Sequence, residues 1–253
     1  MVKEIALPSV MSLRLEMWWQ DQLLATGTGF IVETDDAAFL ITNRHNLAGL
    51  KTNGETLSSH GVTPDKVRIL HNDRERLGKW IWKEEWLVDG DDQPLWLEHP
   101  SGSKQVDVVA LKLSDLENVQ LYPYSLSMAD PPVIEAATDL SIIGFPYSEA
   151  SHGGMGIWAR GTVASEPSLD YGDWPSFLID SRTRPGQSGS PVIYFSSNGS
   201  IKRASGTVVM KLGHVVYLLG VYSGRINESS DIGIVWKASV IQDLVTMPSV
   251  ASN

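Results

Sequence analysis

The apolar residues of this chain come in short runs, and none is longer than a β-strand. The longest, Val215 to Tyr222, spans eight residues with Gly220 counted among them. A helix that crosses a membrane needs about 18 consecutive apolar residues, so none is expected. The other runs are shorter: Gly29-Phe30-Ile31-Val32, Phe39-Leu40-Ile41-Thr42, Val67-Arg68-Ile69-Leu70, Asp107 to Leu113, Leu140 to Gly144 and Thr207 to Met210. β-Branched residues are frequent in them and Gly, Asn, Asp and Pro bound them, the pattern of strands and turns. Asn198-Gly199, after Val192-Ile193-Tyr194-Phe195, reads as a hairpin, and Asp89-Gly90 and Asn53-Gly54 read as turns. Helical periodicity is confined to about Ser239 to Met247, where Pro248 stops it. Many strands with so little helix predict an all-β barrel or sandwich.

A length of 253 residues accommodates one large domain or two small ones. The loop-like stretch from Leu116 to Pro132, with Pro123, Pro131 and Pro132, predicts a division into residues 1–120 and 121–253. The chain has no cysteine, which excludes a disulfide scaffold, a thiolate zinc site, an iron–sulfur cluster and a cysteine nucleophile. There is no H-E-x-x-H and no histidine pair three or four residues apart, so no metal site is expected. The formal net charge of −10 opposes nucleic-acid binding, which depends on Lys and Arg. The first twenty residues lack the apolar core of a signal peptide, and with the missing cysteines this points to the cytoplasm.

The segment richest in chemistry is Arg184-Pro185-Gly186-Gln187-Ser188-Gly189-Ser190-Pro191. A Ser framed by two glycines, Gly186 and Gly189, has an unshielded hydroxyl, and Gly186 permits a turn that a Cβ would penalise. In such a turn the N–H groups of Gly186 and Ser188 can converge into an oxyanion hole. A Ser nucleophile needs a base, and among six histidines only His45 ends an apolar strand, in Leu40-Ile41-Thr42-Asn43-Arg44-His45. The base needs an orienting carboxylate, and Asp107 leads into Val108-Val109-Ala110-Leu111. Taken singly, each segment has a plainer reading: a Gly/Ser loop, a structural histidine, a turn-capping aspartate.

In combination, TNRH around His45, DVVALKL from Asp107 and PGQSGSPV around Ser188 resemble the motifs of the trypsin-like (chymotrypsin-fold) serine peptidases. The likeness is greatest to their cysteine-free bacterial members, and the order His, Asp, Ser is that family's order. Leu219 to Gly224 resembles the strand lining the primary pocket, and Gly233 to Lys237 with the following helix resembles the family's C-terminal close, so the resemblance covers roughly residues 26–245. It implies two six-stranded Greek-key β-barrels, a short C-terminal helix and a site in the cleft between them. It implies a serine endopeptidase acting on a protein or peptide substrate without a cofactor, with Ser188 as nucleophile, His45 as base and then acid, and Asp107 orienting it. Gly186 and Ser188 would hold the oxyanion. Ser223 would support Asp107, and Ser223, Gly224 and Arg225 would pair with substrate backbone. The alternative is a catalytically silent β-barrel that binds protein. An α/β-hydrolase is excluded, because no acid lies between Ser188 and the only later histidine, His214.

Two departures matter. Gln187 stands where members activated by cleavage carry an Asp that pairs with a freed N-terminal amine, so no zymogen cleavage is expected, and activity would be constitutive or controlled by a regulatory partner or by loop ordering. Arg182, six residues before Ser188, would with Thr183 line the pocket floor and favour acidic side chains, unless it points to solvent or pairs with Asp180. Four of the nine tryptophans fall between Trp80 and Trp96 among acidic residues, as an inserted hairpin packed on the barrel or as a partner surface. The sequons at Asn198 and Asn227 are expected to be unused.

Overall fold

The computed structural model describes residues 5–51, 53–76, 78–102, 104–127, 131–203, 205–227 and 229–246. The first half of the chain supplies β1 (Ser12–Trp19), β2 (Gln22–Glu33), β3 (Ala38–Thr42), β4 (Lys66–Asp73), β5 (Trp80–Trp86), β6 (Trp96–Glu98), β7 (Val109–Lys112) and β8 (Val119–Gln120). The second supplies β9 (Asp139–Gly144), β10 (Ile157–Val163), β11 (Ser176–Ser181), β12 (Pro191–Ser196), β13 (Ser200–Lys202), β14 (Val208–Met210), β15 (Val215–Arg225) and β16 (Ile232–Lys237). Helices are short: α1 (Pro8–Met11), α2 (Arg44–Ala48) and α3 (Ala238–Thr246). Helix α3 lies where periodicity placed it, and Met247 and Pro248 fall outside the described residues.

The second half closes into a six-stranded antiparallel barrel in the order β10-β11-β16-β15-β12-β9. The first half follows the same plan without closing: its path runs β5-β4-β1-β2-β3-β7-β6, with β8 added on β4. Its end strands β5 and β6 are joined by the turn over 87–95, where the Leu95 N–H donates to Leu87 O at 2.9 Å and Val88 bridges Pro94. The tryptophan-rich segment is therefore the rim of this sheet. Trp96 is buried in its core, Trp82 stacks with Arg14 and Arg68, and Trp86 is exposed beside Lys66.

Alternation along the strands builds three cores. Ile31, Leu40, Val109 and Leu111 face inward within the first sheet, and Ile142, Val192 and Val235 face inward within the barrel. The residues between them, Phe30, Val32, Ile41, Ala110, Ile143 and Ile193, turn the other way into a shared core that α3 caps with Val240, Ile241 and Leu244. Successive strand side chains point to opposite faces. Both faces are buried here, so the sequence shows continuous apolar runs instead of an apolar–polar alternation. Each fully buried large apolar side chain stabilises by roughly 1.5–3 kcal/mol, so the shared core fixes the two sheets against each other.

One turn signal was misread as a hairpin. Asn198-Gly199 does turn the chain, with Gly199 at φ +73° and Asn198 Oδ1 accepting from the Ser200 N–H at 3.0 Å. The strand before it, β12, pairs with β15 and β9, while β13 pairs with β14. The turn chemistry was local and correct; strand partnership was decided by barrel closure.

Candidate active site

Asn43, extended at φ −75° and ψ 146°, carries the chain from β3 into α2, so His45 sits on a short helix and not at a strand end. Asn43 Nδ2 donates to Asp107 O at 2.7 Å, tying this turn to the segment that enters β7. The Asp107 carboxylate then accepts three hydrogen bonds. The His45 backbone N–H reaches Oδ1 at 2.9 Å, His45 Nδ1 lies 2.7 Å from Oδ2, and the Ser223 hydroxyl donates to Oδ2 as well. Both side chains are partly shielded, His45 at 26% and Asp107 at 20% exposure, so the pair is open to a ligand on one side only. Burial presses the His45 imidazole toward the neutral form, but the charge and hydrogen bond of Asp107 outweigh it and hold its pKa above the ordinary histidine value.

Ser188 lies in a turn that only glycine permits. Gly186 has φ +93° and Gly189 φ +86°. A Cβ on Gly186 would collide with the carbonyl oxygen of Phe145, and one on Gly189 with that of Thr28. The turn is clamped from the first half of the chain. Ser188 O accepts from the Thr28 N–H at 3.0 Å and from Asn46 Nδ2 at 3.1 Å, and the Thr28 hydroxyl donates to Gly186 O at 2.8 Å. Gln187 is buried, and its Oε1 accepts from the Arg184 N–H at 2.7 Å, closing the loop on itself. Among the described residues, no carbonyl or side chain accepts from the N–H of Gly186 or of Ser188. Ser188 Oγ donates to Ser223 O at 3.1 Å and makes no hydrogen bond to His45.

A cavity of about 310 Å³ opens beside these groups, lined by His45, Asp107, Ser223, Gly224 and Arg225 among others. Arg182 does not line it. It is exposed on the outer wall of the barrel near Asp139 and Arg160, while Ser181 and Thr183 on either side are buried. One step along an alternating backbone separates inside from outside, so counting back from Ser188 chose the wrong face. Thr183 points inward, and its hydroxyl bonds the Tyr222 phenol behind the Ser188 turn. Thr28 and Asn46 were missed from sequence. The signal available for them was Gly27-Thr28-Gly29, where a Cβ at Gly27 would meet the Asn46 side chain.

Residues 27–200 match the family profile described as the trypsin-like peptidase domain. The chain belongs to the trypsin-like peptidases. It is thus a serine protease by family, with protein or peptide substrates. No curated protein sequence matches it. Among solved structures it is similar to the serine endoprotease from Yersinia pestis, with 14% identity, a TM-score of 0.54 and 94% of this chain aligned to 62% of that one. It is similar also to the Rv3671c protease from M. tuberculosis in its active form, with 16% identity, a TM-score of 0.49, and 94% of this chain aligned to 80% of that one. The chain thus spans less than two thirds of the Yersinia protein, and at 14% identity the feature it shares with that protein is the fold. Among the described residues, no cluster of three His, Asp or Glu could hold a metal ion, and no helix is long and apolar enough to cross a membrane.

Proposed function

We propose that this chain is a serine endopeptidase in which Ser188, His45 and Asp107 form the catalytic triad. The observation that carries the reading is the carboxylate of Asp107 bound to three donors from both halves of the molecule, one of them the His45 ring. That network sets Nδ1 as the protonated nitrogen and leaves Nε2 free to accept a proton. The Ser188 hydroxyl turns from Ser223 O toward Nε2 when substrate enters, loses its proton to His45 and attacks the peptide carbonyl. The developing oxyanion takes the N–H groups of Gly186 and Ser188, which have no other acceptor among the described residues. His45 then protonates the leaving amine, and water, activated by the same imidazole, hydrolyses the acyl-enzyme.

We read the two halves, 1–120 and 121–253, as one catalytic unit, since each supplies part of the triad. The Gln187 side chain closes its own loop through Arg184, which supports activity that does not wait for a freed N-terminal amine. Control would then rest with a regulatory protein partner. The absence of cysteine supports work in the reducing cytoplasm. Labelling with a fluorophosphonate probe tests the reading. Wild type should label, Ser188→Ala should not, and turnover of a peptide by Ser188→Ala should fall by at least about 10⁴-fold. A well-folded wild type that takes no label, either purified or in the lysate of its own cells where an activator would be present, would overturn it and leave a peptide-binding barrel.

A further inference from the structure

The barrel strand β15 pairs with β12 only as far as Val221, opposite Pro191. Beyond it, Gly224 and Arg225 pair with β16 on one side, at Ile234 and Gly233, and their other edge faces the cavity beside His45. An unpaired strand edge is a template for an added strand. A peptide whose carbonyl sits at Ser188 would lay the residues preceding that carbonyl along Ser223, Gly224 and Arg225.

The charge around this edge runs against that of the molecule. The chain has 20 Lys and Arg against 30 Asp and Glu. Yet the cavity is lined by Arg44, Lys51, Lys104 and Arg225, and its one carboxylate, Asp107, is already occupied by three donors. Arg44 is engaged with Glu98 at 2.8 Å and Lys51 with Glu55 at 3.0 Å. Among the described residues, neither Lys104 nor Arg225 has an ion-pair partner. Leu50, Leu57 and Ile234 supply the apolar part of its lining. Cations without an ion-pair partner among the described residues, in a partly apolar cavity along a free strand edge, fit an extended peptide with carboxylate side chains.

We propose that this cavity selects peptides carrying acidic side chains in the two or three residues that precede the cleaved bond, with Lys104 and Arg225 as the selecting groups. The peptide's role as substrate rests on the peptidase reading, but its binding does not. The determinant differs from the one expected at Arg182, which lies on the other side of the barrel wall.

The experiment uses full-length protein carrying Ser188→Ala, so that binding is read without turnover. Two fluorescent peptides of equal length differ only in Glu or Gln at the positions before the bond, and binding is followed by anisotropy. At low salt the Glu peptide should bind about tenfold tighter, as expected for two or more exposed ion pairs. The advantage should shrink to about twofold at several hundred millimolar salt, where the screening length falls below 10 Å. Lys104→Gln and Arg225→Gln should each remove about threefold of the preference and together nearly all of it, while Arg225→Lys should retain it. Thermal midpoints of the variants verify that they fold. Equal binding of the two peptides, a preference unchanged in the double variant, or an oligonucleotide of matched charge binding as tightly as the Glu peptide would overturn the proposal. Loss of fluorophosphonate labelling in wild type bears on the peptidase reading and leaves this result standing.

Discussion

The two halves of the molecule contribute to the site in different states of readiness. On the first, Asp107 is fixed by the His45 main chain, the His45 ring and Ser223, and Asn43 holds the turn beneath it. On the second, the Ser188 hydroxyl is parked on Ser223 O, and the Gly186 and Ser188 N–H groups have no acceptor among the described residues. The His45–Asp107 pair is held from several sides, whereas the Ser188 turn carries two N–H donors that no group among the described residues accepts from. In the proposed triad the imidazole must be held in one tautomer before reaction. An oxyanion exists only in transit, so its donors are best left vacant and rigid. Ser223 joins the two, giving its hydroxyl to Asp107 and its carbonyl to Ser188.

The largest effect should come from disarming the finished half. Asp107→Asn should lower kcat/KM by about 10⁴-fold, because the wrong tautomer faces Ser188. It also removes the charge and hydrogen bond that raise the His45 pKa, leaving burial to lower it. With His45 as the proposed base, activity requires the neutral imidazole and should be lost as pH falls through its pKa. The acid limb of the kcat/KM profile should therefore move to lower pH in Asp107→Asn, and a limb that stays in place would disconnect the two residues.

Next comes the turn itself. Gly189→Ala forces a Cβ onto Thr28 O at a left-handed backbone position, and urea unfolding should show a loss of about 3 kcal/mol or more. A neutral result would mean that the Ser188 turn is not rigid. The third test concerns acid stability of the first half. His71 is buried on β4, and burial, then Lys83, push its pKa down to about 4, with Asp115 opposing. Between the ordinary value of about 6.5 and pH 4 the unfolded chain binds a proton that the folded one refuses, so stability falls as pH falls through that window. The full loss is about 3 kcal/mol at the low end. In His71→Gln the slope of stability against pH over this window should flatten, whatever the variant's absolute stability.

The smallest effect tests the link between the halves. Ser223→Ala leaves Asp107 with two of its three donors and should cost about tenfold in kcat/KM, with folding nearly unchanged. A loss as large as that of Asp107→Asn would make Ser223 a full partner in the chemistry.

Much of this was legible from residues alone. The short apolar runs gave the all-β class, Gly186 and Gly189 marked a turn with positive φ, and the order of His45, Asp107 and Ser188 along the chain gave the family. What stayed hidden involved direction and partnership. Asn198-Gly199 marked a turn but not its strands' partners, because pairing in a barrel is set by closure of six strands. Arg182 was placed on the pocket floor, because distance along the chain does not say which face of the wall a residue occupies. His45 was placed at a strand end, because one turn of helix leaves no periodicity to detect.

The sequence by itself therefore determined the inventory: an all-β chain without cysteine, a glycine-framed serine, one histidine and one aspartate placed just outside apolar runs. These follow from local chemistry, from backbone freedom at glycine and from burial of alternate side chains. The tertiary structure alone decided that Thr28 and Asn46 would clamp a turn some 150 residues away, and that Arg44, Lys51 and Lys104 join Arg225 in lining the cleft while Arg182 does not. Contacts between distant segments depend on how two sheets share one core, and no window of sequence contains that information.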